Sequence, residues 1–233
     1  MDTGEDNCNV LGLLCGQNQR TQEGQNAQAF REKTGAFRKI LKKKAELEFI
    51  SAPNRVPPLE TTGEDAELAN EGDSMGWWFS RQDDCYHAQE LSDCCKGYDQ
   101  SLKLVQETIK EKGPFDGVLG FSQGAAMVSL LLGVQEQQSE KWFDFAILVA
   151  GFKSRSSPHD VLYSKKISIP TLHVFGDTDK VIPKEMSEDL LQYFEDPVVV
   201  QHPGGHFVPA AGPQKKVYLE FFDKMLKKKA QVS

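Results

Sequence analysis

From residue 98 onward the chain alternates two kinds of segment, and that alternation limits the fold more than any other feature. Segments 116–120, 143–150 and 171–175 are short, apolar runs, and 197–201 is rich in β-branched residues. Between them lie segments with helical character. One is 98–112, with Leu102, Val105 and Ile109 on one face; the others are the strongly apolar 125–137, and 184–194. Gly113-Pro114 stops the first of these helices. Pro213 opens a closing helix over 213–229, at the first-turn position that tolerates proline. Strands apolar on both faces and separated by helices predict a mainly parallel sheet with helices on both faces. The chain shows no internal repeat.

Upstream the pattern is less regular. Residues 1–29 are polar and rich in Gln and Asn, apart from the apolar run 10–15, which fits a short first strand. Residues 30–44 read as a helix, with Phe37, Ile40 and Leu41 on one face and Lys42, Lys43 and Lys44 in the last turn, where the dipole favours cations. Residues 46–51 alternate as a strand. Residues 52–97 form a long excursion broken by Pro53, Pro57, Pro58, Gly63 and Gly72. Its stretch from Glu60 to Asp93 holds ten acidic residues and one basic one, and within that stretch sits Gly76-Trp77-Trp78-Phe79. Such a loop reads as an anchored, lid-like insertion. The organisation expected is an atypical segment 1–29 and one domain over 30–233.

Composition removes several function classes. The chain has 233 residues, 39% of them hydrophobic. A domain of that size can bury roughly 70–75% of its unfolded surface. A net charge of −7 gives no electrostatic reason to expect a nucleic-acid partner. No run approaches the roughly 18 apolar residues of a membrane span. The acidic start lacks a secretory leader, and five cysteines, an odd number, imply reduced thiols in the cytoplasm or nucleus. There is no Walker-type loop, no G-x-G-x-x-G and no metal-ligand spacing, so no cofactor or metal is expected. Oligomeric state is not legible.

The chemistry-bearing segment is Gly120-Phe121-Ser122-Gln123-Gly124, a G-x-S-x-G between an expected strand and an expected helix. A chance match somewhere in a chain this long has odds of roughly one in ten, so the motif needs its context. A strand–turn–helix elbow supplies it, lifting a serine hydroxyl above the sheet. Serine also needs an imidazole to take its proton and a carboxylate to orient that imidazole. In α/β-hydrolases these follow in the order Ser, Asp, His. Asp177 and Asp179 follow the strand ending near Phe175; Asp179 is favoured because Asp177, directly after Gly176, suits a local turn. His202 and His206 follow the last strand; His206 is favoured because Gly204-Gly205 lets its loop bend. His87, His159 and His173 are read as structural. Trp77, Trp78 and Phe79 are candidates for lining an apolar acyl groove, with loop anchoring as the alternative.

At these residues the sequence resembles the FSH-type family of serine hydrolases. The matching stretches include Phe30-Arg31-Glu32-Lys33-Thr34-Gly35, Gly76-Trp77-Trp78-Phe79, Gly120-Phe121-Ser122-Gln123-Gly124-Ala125-Ala126, Phe175-Gly176-Asp177-Thr178-Asp179-Lys180 and Gly204-Gly205-His206-Phe207. The resemblance implies an α/β-hydrolase fold and carboxylic-ester hydrolysis by Ser122 as nucleophile, Asp179 as orienting acid and His206 as base. The opening departs from the family, whose first strand leads into a His-Gly-aromatic-Arg-Gln loop; here Leu14-Cys15-Gly16-Gln17 and extra polar residues to Ala29 stand in its place, or, as the alternative, Gln25-Asn26 matches the end of that loop and the strand before it is missing. One oxyanion donor is expected from the Gln123 backbone N–H and the other from that loop, at Gln17. The expected activity is a serine carboxylesterase acting on small-molecule esters with extended alkyl or acyl chains. Thioester cleavage is the alternative within hydrolases. A hydrolase-fold binding protein, impaired at the oxyanion loop, is the alternative outside them.

Overall fold

The computed structural model describes residues 7–14, 34–57, 74–138 and 140–232. The elements in chain order are β1 (Cys8–Leu14), α1 (Gly35–Leu41), β2 (Ala45–Ser51), β3 (Asn54–Arg55), β4 (Met75–Gly76), α2 (Tyr98–Lys112), β5 (Gly117–Phe121), α3 (Gln123–Gln138), β6 (Phe145–Val149), β7 (Thr171–Gly176), α4 (Lys184–Leu191), β8 (Val198–His202) and α5 (Pro213–Val232). Between β6 and β7 the chain makes a 3-10 helix, Ser157–Tyr163, that no apolar period announced.

Six strands form one sheet in the order β2-β1-β5-β6-β7-β8. Every neighbouring pair is parallel. The strand direction of progression reverses between β1 and β5, the switch point outside which ligands bind in open α/β sheets. Alternate residues of each strand feed two cores. On one face Val10, Leu119, Phe145 and Ile147 pack against Phe37 of α1 and Tyr218 and Phe222 of α5. On the other, Leu11, Leu13, Val118, Ala146 and Leu148 meet α2, α3 and α4 through residues such as Val105, Leu130 and Leu190. α3 is buried nearly all round, because β-strands lie beneath it and the excursion and the 3-10 helix cover it. This is the α/β-hydrolase architecture expected from the sequence.

Four details differ from expectation. The helix read over 30–44 spans Gly35–Leu41 in the described part, and Lys42, Lys43 and Lys44 fall in the turn after it. Lys44 pairs with Asp223 of α5 instead of merely capping a dipole. Short strands β3 and β4 pair antiparallel inside the excursion. The first strand reaches back to Cys8, with Cys8 and Val10 buried on one face and Leu11 and Leu13 on the other. Among the described residues, no helix is long and apolar enough to cross a membrane.

Candidate active site

β5 ends at Phe121 and α3 begins at Gln123, so Ser122 alone makes the turn between them. Its φ of +56° lies in the left-handed region, a costly conformation for a residue with a side chain. The turn is held by the Ser122 N–H donating to the carbonyl of Val149 at 2.9 Å, and by the Ser122 carbonyl accepting from Ala125 and Ala126. The flanking glycines have steric reasons. A Cβ on Gly120 would lie 2.4 Å from the carbonyl oxygen of Gly124, and one on Gly124 would lie 2.4 Å from that of Leu13. The second contact brings the end of β1 against the elbow. The N-terminus of α3 points at the hydroxyl and favours negative charge developing there.

The other two side chains arrive from the loops after β7 and β8. His206 Nε2 lies 3.1 Å from Ser122 Oγ, and His206 Nδ1 lies 2.7 Å from Asp179 Oδ2. The other carboxylate oxygen of Asp179 accepts the backbone N–H groups of Val181 and Ile182 at 2.8 and 2.9 Å. The Asp179 side chain is 1% exposed and that of His206 18%. A buried, hydrogen-bonded carboxylate therefore fixes one ring nitrogen while the other faces the hydroxyl. Such a chain of contacts can draw a proton from serine oxygen and hold the imidazolium that results. The two loops approach closely: a Cβ on Gly176 would lie 2.2 Å from the carbonyl oxygen of Gly204. The ring of Phe121 lies 4.6 Å from that of His206, centroid to centroid.

The alternatives fall elsewhere. Asp177 is exposed and its backbone N–H continues the ladder to the His202 carbonyl. His202 is buried, and burial holds its imidazole below the usual pKa. Its Nδ1 accepts from the Gly204 N–H inside its own turn. Gln17, expected as an oxyanion donor, lies outside the described residues, as does the rest of its loop.

The aromatic groove requires a correction. Trp77, Trp78 and Phe79 are 0%, 1% and 4% exposed, and the two indoles belong to the core cluster that includes α2 and α3. They do not line an open groove; they anchor the excursion, because a long polar loop needs apolar burial to hold its place. A cleft of about 1120 Å³ does open between residues 80–94, the loop after β6 and α4, with Arg81, Leu91, Lys153, Arg155 and Glu185 on its walls. None of Ser122, Asp179 and His206 lines it.

Two residues at the site escaped the sequence reading. Phe121 and the Gln123 side chain stand at the "x" positions of G-x-S-x-G, which the motif leaves free. Phe121 packs the imidazole. The Gln123 side chain, on a residue 2% exposed, accepts from the Trp77 N–H at 2.9 Å and donates to the Trp78 carbonyl at 2.7 Å. A long amide directly after the serine, in a chain with an aromatic pair in a loop, is the only hint the sequence offered.

Residues 23–218 match the family described as Serine hydrolase (FSH1). The chain is 48% identical over 207 residues to a Xenopus tropicalis protein named Esterase OVCA2, covering 87% of this chain and 89% of that one. It is 47% identical over 221 residues to the Danio rerio Esterase OVCA2, covering 91% and 96%. Among solved structures it is similar to Arabidopsis thaliana SOBER1, with a TM-score of 0.60, 15% identity and coverage of 95% and 100%; that likeness concerns the fold.

Proposed function

Because the chain belongs to the serine hydrolase (FSH1) family, we propose that it is a serine carboxylesterase working through Ser122, His206 and Asp179. The observation that carries the reading is the unbroken line of contacts from hydroxyl to imidazole to carboxylate. His206 Nε2 removes the proton as Ser122 Oγ attacks the ester carbonyl. The tetrahedral oxyanion is held by the backbone N–H of Gln123 at the start of α3. His206 then gives its proton to the leaving alcohol, and water, activated by the same nitrogen, releases the acid from the acyl-enzyme. Asp179 keeps Nδ1 protonated and stabilises the imidazolium.

The substrate class is a small-molecule carboxylic ester. With the tryptophans buried, the extended acyl chain loses the lining first expected for it. The Phe207 ring, 50% exposed and next to His206, is apolar surface that supports an alkyl or acyl arm. Free thiols at Cys8, Cys85, Cys94 and Cys95 support a reducing compartment, cytoplasm or nucleus.

The test is Ser122→Ala against a fluorophosphonate probe and p-nitrophenyl butyrate. Ester turnover should fall by roughly 10⁵-fold or more, and labelling should vanish, with the unfolding temperature little changed. Retained turnover would refute the assignment. A folded wild-type chain that takes no probe would favour the binding-protein reading. Paired oxygen and sulfur esters separate esterase from thioesterase.

A further inference from the structure

We propose, resting on the esterase reading, that the Gln123 side chain is a positioning residue: it holds the Ser122–Gln123 peptide, whose N–H faces the oxyanion, by bracing it against the Trp77–Trp78 backbone. Within the elbow that peptide is held at its carbonyl, which accepts from the Ala125 and Ala126 N–H groups. Ser122 sits at a φ of +56°, where the surroundings must hold the backbone in place. Gln123 is the first residue of α3, so its N–H lies at the helix start, on the side of the peptide opposite the Ser122 carbonyl.

The side-chain amide adds a second restraint, from outside the elbow. Its oxygen accepts from the Trp77 N–H and its nitrogen donates to the Trp78 carbonyl, matching both polarities of one backbone segment. That segment is itself immobilised. Asn54 Nδ2 lies 3.0 Å from the Gly76 carbonyl oxygen and 3.1 Å from that of Trp77, and Ser101 Oγ of α2 also donates to the Trp77 carbonyl. Asn54 and Ser101 are 7% and 0% exposed. Three buried polar side chains from three parts of the chain thus converge on residues 76–78, whose indoles are locked in the core. The same excursion also touches the loop of the acid: Gln89 Nε2 donates to the Val181 carbonyl at 3.2 Å, and the Val181 N–H donates to Asp179. Residues 74–97 of the insertion are therefore a fixed bracket for the catalytic elbow.

Gln123→Met keeps the length and bulk of the side chain and removes both hydrogen bonds. Gln123→Glu keeps the acceptor for Trp77 but donates to Trp78 only when protonated. Both are compared with wild type in the full chain, by p-nitrophenyl butyrate kinetics, thermal unfolding and fluorophosphonate labelling. In Gln123→Met, Ser122 should still be labelled to completion, kcat should fall about 10- to 100-fold, and KM should stay within about twofold, because a displaced donor affects the transition state more than substrate binding. For Gln123→Glu, the ratio of its kcat to that of wild type should rise as pH falls from about 8 to about 6, since protonation restores the donor and burial raises a carboxyl pKa. A folded Gln123→Met enzyme with wild-type kcat, or a Gln123→Glu ratio flat in pH, overturns the proposal. If Gln123→Met does not fold, the pH ratio decides alone. Wild-type protein that takes no probe overturns the esterase reading itself, before any variant is compared.

Discussion

At the scale of single residues, the division of labour within Asp179 is the most informative detail. One oxygen accepts the N–H groups of Val181 and Ile182 and so shapes its own loop; the other meets His206. A carboxylate that did only the first would be a turn residue, and one that did only the second would be free to swing. Asp179→Asn separates the two jobs. The amide oxygen still satisfies both backbone donors, but the amide nitrogen now faces Nδ1 and forces it to accept. The ring proton then sits on Nε2, pointing at Ser122, where it cannot serve as a base. Ester kcat should drop by about 10⁴-fold with the fold retained. Asp177→Asn, at an exposed position that does not reach His206, should leave kcat near wild type. Equal losses in both would dissolve the distinction. Stopped kinetics on the two variants, with unfolding curves beside them, make the comparison.

At the scale of elements, the strand–serine–helix turn was legible because three independent signals coincide there: a buried apolar strand, glycines two residues either side, and a helix that starts at once. The order of Asp179 and His206 after strand ends was legible for the same reason, since parallel topology puts those loops at one edge of the sheet. The tryptophans were not. An aromatic pair inside an acidic, aperiodic loop has no spacing to say which way it faces, and only burial beside α3 decides it. The Gln123 clamp was hidden because its partners are backbone atoms 45 and 46 residues away, and backbone partners leave no trace in residue identity. The glycines of the elbow carry a prediction at this scale. A Cβ on Gly120 meets the backbone of Gly124 and Ala125 at 2.4 to 2.6 Å, and backbone cannot step aside. Gly120→Ala should therefore distort the turn and remove both activity and several kcal/mol of stability, roughly the cost of core overpacking or more. Gly35→Ala is the contrast. It lies at the start of α1 with nothing within 4 Å of the added carbon. It should raise stability by about 0.5 kcal/mol through the unfolded chain's lost freedom. Urea midpoints for both variants check the pair of signs.

At the scale of the whole molecule, two histidines outside the site tie the fold to pH. His173, in the centre of β7, and His159, in the 3-10 helix, are each 2% exposed. Burial lowers their imidazoles from 6.5 to about 3 and about 4, against which Asp160 pulls His159 weakly upward. The local geometry explains the resistance to charge. His159 Nδ1 is engaged with Ser154 Oγ, its Nε2 has no hydrogen-bond partner among the described residues, and the rings of Trp78 and Tyr98 lie against it. A proton added at Nε2 would be a buried donor without an acceptor. His173 has Thr171 Oγ1 at 3.2 Å and the Phe194 ring against its face. The folded values lie below the unfolded one, so the unfolded chain binds protons that the folded chain refuses. The stability these groups contribute is complete above about pH 6.5 and is lost as pH falls toward 4 and then 3. Two such sites make unfolding free energy fall by about 2 to 3 kcal/mol for each unit of acidification near pH 5, before any carboxylate is counted. His173→Gln removes one of the two titrations and should flatten that slope by about 1 kcal/mol per pH unit. Urea unfolding of wild type and variant at about pH 7, 6 and 5 measures both slopes. Parallel slopes would mean that His173 already carries its proton in the folded sheet, and that the acid sensitivity belongs to other groups.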